Sequence, residues 1–320
     1  MKIQRKFKGV LTAPLMGLPG VRLTNTKISE NYEDADIQFR SLKALYDKYH
    51  PNFMFNMMDL SLEAESLGLK ILKPDNAPYT IIEHPIKNEY DLGKLHIPNP
   101  KKNGRMSITS NVIRKMHKSF ECINVAYIIG PYTLAGLLCG ASTVIKNVLK
   151  SVIFLEKVLE FSSKVIDIYC TELINSEADM ICMLEPTTTG LSPEQFEKFS
   201  GNYIKKLKNN WNIPLILHIC GDTTSLIREM IKTNCDGISL DAMVNLQHAA
   251  NLISSDILIL GNIDPVRALA FGDKEEVEEV VKKLLFDMKD VDNFILSSGC
   301  DIPLDAPLEN IEAFMKAARE

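Results

Sequence analysis

About eight short apolar runs recur along this chain, each closed by a turn or a polar residue. They cover residues 7–13, 53–57, 125–129, 180–184, 213–217, 237–240, 257–260 and 294–296, and helical stretches separate most of them. Short apolar runs bounded by turn signals read as buried strands. Strands alternating with helices predict an α/β fold, and eight of them predict a (β/α)8 barrel of the TIM type; a doubly wound open sheet is the alternative. The polar residues favour the barrel. Asp59, Glu185, His218, Cys220, Asp241, Asp264 and Cys300 all fall at or just past the C-terminal ends of these runs. A barrel gathers those ends at one mouth, where active sites lie.

Composition narrows the classes. The chain has 320 residues, of which 46% are hydrophobic, enough for a sizeable core. Residues from about 70 to 100 carry many prolines and no long period. They predict an excursion of hairpins and loops within a single barrel domain spanning 1–320. A net charge of −5 argues against a general nucleic-acid binder. Met1 to Lys8 is basic, but no apolar segment follows it and no run of about 18 apolar residues occurs, so no membrane span is expected. Seven cysteines, an odd number at low density, predict a reducing, cytoplasmic setting.

The chemistry concentrates around His218-Ile219-Cys220-Gly221-Asp222-Thr223-Thr224. Side chains two apart on a strand point the same way, so His218 and Cys220 share a face. Cys300 ends another apolar run inside Ser297-Ser298-Gly299-Cys300-Asp301-Ile302-Pro303. One nitrogen and two sulfurs are ligands zinc prefers, and three protein ligands leave the open position of a catalytic site. A core cysteine beside a hydrogen-bonded histidine is the plainer account of His-x-Cys alone. Asp59 and Glu185 are candidates for the fourth position or for orienting a ligand. The plainer account of each is a helix cap or a buried ion pair.

Several segments resemble a known superfamily. Gly130-Pro131-Tyr132-Thr133-Leu134-Ala135-Gly136 resembles the corresponding segment of uroporphyrinogen decarboxylases, which are (β/α)8 barrels, and Met58-Asp59-Leu60 resembles the segment carrying their essential aspartate. Three other segments are similar to the methylcobalamin:coenzyme M methyltransferases and related corrinoid-protein methyltransferases: 218–223, Gly299-Cys300-Asp301-Ile302-Pro303, and Met58 through Glu65. That resemblance implies a zinc enzyme with His218, Cys220 and Cys300 as ligands, moving a methyl group from a methylated corrinoid (methylcobalamin) to a thiol such as coenzyme M. The chain has no Asp-x-His-x-x-Gly motif for holding cobalamin, so the corrinoid is expected on a small partner protein. The decarboxylases bind substrate carboxylates with arginines in the loop after their first strand. Here that loop holds only Arg22, which makes porphyrinogen decarboxylation the runner-up. A tetrahydrofolate-type acceptor and a non-catalytic partner-binding barrel are further alternatives.

Overall fold

Seven of the apolar runs become neighbours in one parallel sheet. The computed structural model describes residues 9–102 and 104–320. Its strands are β1 (Phe53–Phe55), β2 (Ile71–Leu72), β3 (Thr80–Ile81), β4 (Ile123–Ile129), β5 (Met180–Leu184), β6 (Leu215–Ile219), β7 (Gly237–Leu240), β8 (Leu258–Ile263) and β9 (Phe294–Ser298). The large sheet runs β1-β4-β5-β6-β7-β8-β9, with every neighbouring pair parallel. The first expected strand, residues 7–13, is much reduced, and its residues 7 and 8 lie outside the described residues. Thr12 forms a parallel bridge with Leu296 of β9, flanked by bonds from Ala13 N to Leu296 O and from Leu296 N to Leu11 O. On its other side Thr12 O accepts from Asn52 N and Phe53 N, and Asn52 Oδ1 accepts from Thr12 N. Residues 11–13 therefore join β9 to β1 and close the curled sheet into a (β/α)8 barrel.

Burial follows the period of two. Phe53, Phe55, Val125, Tyr127, Cys182 and Ile216 belong to a cluster that fills the barrel. The alternate residues, such as Met54, Ala126, Ile181 and Leu217, pack in a second cluster with the apolar faces of the helices. Among those helices are Gly104–Ser119, Pro131–Cys139, Val152–Asn175, Lys274–Asp287 and Leu308–Ala317.

Three boundaries differ from the sequence reading. The apolar spacing of Ile37, Leu42, Leu45 and Tyr46 predicts one helix over 32–49 with Ser29 as its cap, and the structure has two, Ile28–Glu33 and Ala35–Tyr49. Asp34 caps the second by accepting from Asp36 N and Ile37 N, whereas the Ser29 hydroxyl donates to Asp75. The long helical region over 146–176 breaks at Ser151 into Ala141–Lys150 and Val152–Asn175. The strand expected over 213–217 starts at Leu215, because Pro214 has no N–H for the ladder. His218 thus lies within β6 rather than after it.

The excursion at 70–100 carries the antiparallel hairpin β2–β3 and the short helix Glu89–Leu92. It is tied to helix Pro131–Cys139: Ile86 N donates to Leu138 O, and His84 Nδ1 donates to Leu137 O at 2.7 Å. This places the excursion over one side of the barrel mouth.

Candidate metal centre

Inward-facing positions of β6 run Ile216, His218 and then Cys220 just past the strand. The next strand meets them in register, with His218 opposite Ser239 of β7. Ser239 Oγ lies 2.9 Å from His218 Nδ1 and fixes the ring, so that Nε2 faces Cys220 Sγ at 3.1 Å. Cys300 arrives from the loop after β9, whose path is set where Gly299 N donates to Ile263 O. Its Sγ lies 3.2 Å from Cys220 Sγ. The three ligand atoms all fall within 4.8 Å of one another, with His218 buried and both cysteines half-buried. Among the described residues no other three His, Cys, Asp or Glu side chains gather in this way.

The donor set suits zinc. Two sulfurs and one nitrogen converge at the barrel mouth, the imidazole is oriented by a hydrogen bond from its far side, and the half-buried sulfurs leave an approach open. The two thiols lie within hydrogen-bond reach of each other. The hydrogen bond from Cys300 lowers the Cys220 pKa, and the same bond, with burial, raises that of Cys300. Cys220 is followed at once by Gly221 with φ +88°, a left-handed conformation that lets the chain turn off the strand. Thr189 Oγ1 donates to Cys220 O, and Gly221 N donates to Asp241 Oδ2 at 3.0 Å. Asp241 therefore borders the centre, on a loop that Asn262 pins by donating to Asp241 O and Val244 O.

The other strand-end carboxylates sit elsewhere. Glu185 follows Leu184, an inward residue, so it points outward. It is fully buried and accepts from Tyr132 N, Thr133 N, Thr133 Oγ1 and Ser200 Oγ at the start of helix Pro131–Cys139. Burial pushes its pKa up to about 7 against these hydrogen bonds. Asp59 accepts from Ser61 N and Oγ, and its other oxygen pairs with Arg105. Arg105 also pairs with Glu65, donates to Ser61 Oγ and lies 4.9 Å from the centroid of the Tyr79 ring. Asp264 accepts from Val266 N and Arg267 N in a turn. None of Asp59, Glu185 and Asp264 belongs to the ligand cluster.

Sequence reasoning missed three groups. Ser239 orients the imidazole, and its signal was a lone hydroxyl amid the apolar run Gly237–Leu240. Arg105 is buried and binds Asp59 from 46 residues away. Tyr127, inside the barrel, has a buried hydroxyl with no hydrogen-bond partner; burial raises its pKa, and the neighbouring Cys182, Asp301 and both site thiols add to the effect.

The uroporphyrinogen decarboxylase (URO-D) family profile matches residues 19–320. The chain belongs to this family. Its URO-D relatives include a methylcobamide:CoM methyltransferase of Methanosarcina acetivorans, 28% identical over 99% of this chain and 97% of that protein. They also include a uroporphyrinogen decarboxylase of Prochlorococcus marinus subsp. pastoris, 30% identical over 91% of this chain and 86% of that one. A solved methyltransferase from Methanosarcina mazei superposes on this URO-D chain with a TM-score of 0.90, at 20% identity, covering 99% of this chain and 96% of the other.

Proposed function

We propose that this protein is a zinc-dependent methyltransferase that moves a methyl group from a methylated corrinoid, carried by a small partner protein, to a thiol. The observation that carries this reading is the convergence of His218, Cys220 and Cys300 within 4.8 Å at the barrel mouth. The near full-length similarity to a methylcobamide:CoM methyltransferase supports it. Zinc, when bound, would hold the acceptor sulfur as a thiolate at neutral pH. The chain's own residues set up that chemistry. Cys220 and Cys300 offset the charge of the ion, which keeps the acceptor sulfur electron-rich. Ser239 holds the His218 ring in place. The acceptor thiol loses its proton, a sulfur–carbon bond forms, and the cobalt–carbon bond breaks with both electrons left on cobalt as Co(I).

A corrinoid protein needs a surface at this mouth. Its candidates are exposed apolar side chains: Met243 after β7, Val266 and Phe271 after β8, Leu149 on helix Ala141–Lys150 and Ile82 on the hairpin. Phe271 is 82% and Leu149 80% exposed, which makes these two side chains the first to test as contacts for a partner. No single helix among the described residues is long and apolar enough to cross a membrane. A reducing cytoplasm would keep Cys220 and Cys300 available as ligands.

The decarboxylase reading has the Prochlorococcus relatives in its favour. Against it stands the loop after the first expected strand, which offers Arg22 alone for a substrate with many carboxylates. The test is to mix zinc-loaded protein with methylcobalamin and thiols and follow the cobalamin spectrum, with uroporphyrinogen decarboxylation assayed in parallel. Methyl loss that depends on both zinc and thiol is expected. Decarboxylation without any methyl transfer would overturn the proposal.

A further inference from the structure

A cavity of about 500 Å³ opens between the loops after β1 and β9. Asp301, which directly follows Cys300, lines it, and so do Met58 and Ser61 after β1. The hairpin β2–β3 supplies the outer wall through Tyr79, Thr80 and Ile81. Most of the remaining surface is apolar, from Leu18, Leu137 and Ile302. That volume and lining are typical of a small-molecule site.

The electrostatics of the wall are as informative as its shape. Among the described lining residues there is no lysine or arginine. Two cations stand behind the wall, Arg105 and Lys73, both near the Tyr79 ring. Arg105 is taken by Asp59 and Glu65, and Lys73 by Glu33 and Glu65. Two cations thus face three carboxylates, and Asp301 adds a carboxyl whose Oδ1 is buried without a hydrogen-bond partner. An anion placed here would lose its hydration and find no free counter-charge. His84 donates from Nδ1 to Leu137 O, which fixes its ring in the cavity wall. The polar side chains of the lining, Ser61, Thr80, His84 and Asp301, include no fixed cation, so the cavity offers an anion no ion pair.

Resting on the methyl-transfer reading above, we propose that this cavity holds the body of the methyl acceptor, and that the acceptor is a thiol on an uncharged, largely apolar body. A short thiol ending in a sulfonate, as coenzyme M does, would leave most of the cavity empty and its own charge unpaired. The cavity assigns the acceptor class, while the metal ligands assign the reaction.

A matched pair tests this: phenylethanethiol and mercaptoethanesulfonate share a two-carbon spacer and differ in the end group. Methyl transfer from methylcobalamin to each is measured on the zinc-loaded full chain, and binding of the corresponding S-methyl thioethers is measured by calorimetry. The thioethers bear no acidic thiol, so their binding reads the cavity independently of turnover. Phenylethanethiol is expected to show at least about tenfold higher kcat/KM, and its thioether at least about tenfold tighter binding, each the equivalent of roughly 1.4 kcal/mol. Ile81→Arg places a cation in the wall; it should weaken the apolar thioether and strengthen the sulfonate, with zinc content unchanged. Equal or reversed preference in the wild type overturns the acceptor assignment while leaving methyl transfer standing. If neither thiol is methylated, the methyl-transfer reading fails, and thioether binding still decides the cavity: tighter apolar binding upholds its assignment and none overturns it.

Discussion

Replacing Gly130 by alanine tests what Glu185 is for. A Cβ at position 130 would lie 2.2 Å from Glu185 Cδ and 2.3 Å from its Cγ and Oε1. Carbon atoms in good contact stand about 3.5–4.0 Å apart, so one side must move. The backbone of Gly130, at φ −85°, suits any residue, and the collision is the whole cost. Glu185 cannot turn away cheaply, because it accepts four hydrogen bonds at 2.6 to 3.2 Å. A bond to a charged group contributes about 1.5–3 kcal/mol, and displacing the carboxyl breaks several at once within a buried site. We expect a loss of roughly 3–5 kcal/mol, large against a typical domain stability of about 5–15 kcal/mol. Glu185→Ala removes the obstacle along with the cap. Adding Gly130→Ala to it should then cost less than about 1 kcal/mol, giving a coupling of roughly 2–4 kcal/mol. The single tryptophan, Trp211, is buried and reports unfolding in urea by fluorescence. Wild type, both single variants and the double variant complete the cycle. Additive costs would refute the reasoning, since they would mean that Glu185 is not held against position 130. A Glu185→Ala protein of normal stability that lacks methyl transfer would instead make Glu185 catalytic.

Three further outcomes are expected. Wild-type protein purified without chelator should carry about one zinc per chain, and Cys300→Ala should bind it at least about tenfold more weakly with an unchanged circular dichroism spectrum; full zinc retention would remove Cys300 from the ligand set. Glu63 is buried, its Oε1 accepts from Ile129 N, and burial pushes its pKa up to about 7 from an ordinary 4.5. Its folded form holds a proton the unfolded chain has released, so the resulting penalty is absent below about pH 4.5, grows as pH rises and is complete above about pH 7, where it reaches about 3 kcal/mol. Glu63→Gln should therefore be more stable than wild type at pH 8 and indistinguishable at pH 4; the same difference at both pH values would refute the assignment. Phe271→Glu and Leu149→Glu should raise KM for the methylated corrinoid protein at least about tenfold while sparing the reaction with free methylcobalamin, and an unchanged KM would place the docking surface elsewhere.

The parts of this molecule that were legible in the sequence are those governed by local period. Strand positions came through because a buried parallel strand is a continuous apolar run. The proximity of His218, Cys220 and Cys300 was legible because all three stood at strand ends, and barrel topology brings such ends together even when 80 residues separate them, as with Cys220 and Cys300. The boundary errors have local causes that outweighed the apolar pattern: Pro214 delays β6, and Asp34 caps a helix inside what reads as one.

Glu185 shows how far the same logic extends. Met180, Cys182 and Leu184 face the barrel interior, so the residue after Leu184 falls on the outer side of the sheet, toward the helices. His218 shares its face with Ile216, the residue that packs inside. Parity along each strand therefore separates a side chain that faces the candidate centre from one that caps a helix, provided the strand's inward face is identified first. No such rule reaches Arg105. Its partners Asp59, Ser61 and Glu65 lie on the loop after β1 and the short helix that follows, while Arg105 opens helix Gly104–Ser119 on the far side of the excursion. Packing of helix Leu62–Ser66 against helix Gly104–Ser119 brings them into contact. The same excursion walls the cavity, so the features that decide the acceptor's charge rest on the segment with the weakest sequence period, whereas the metal ligands rest on the segments with the strongest.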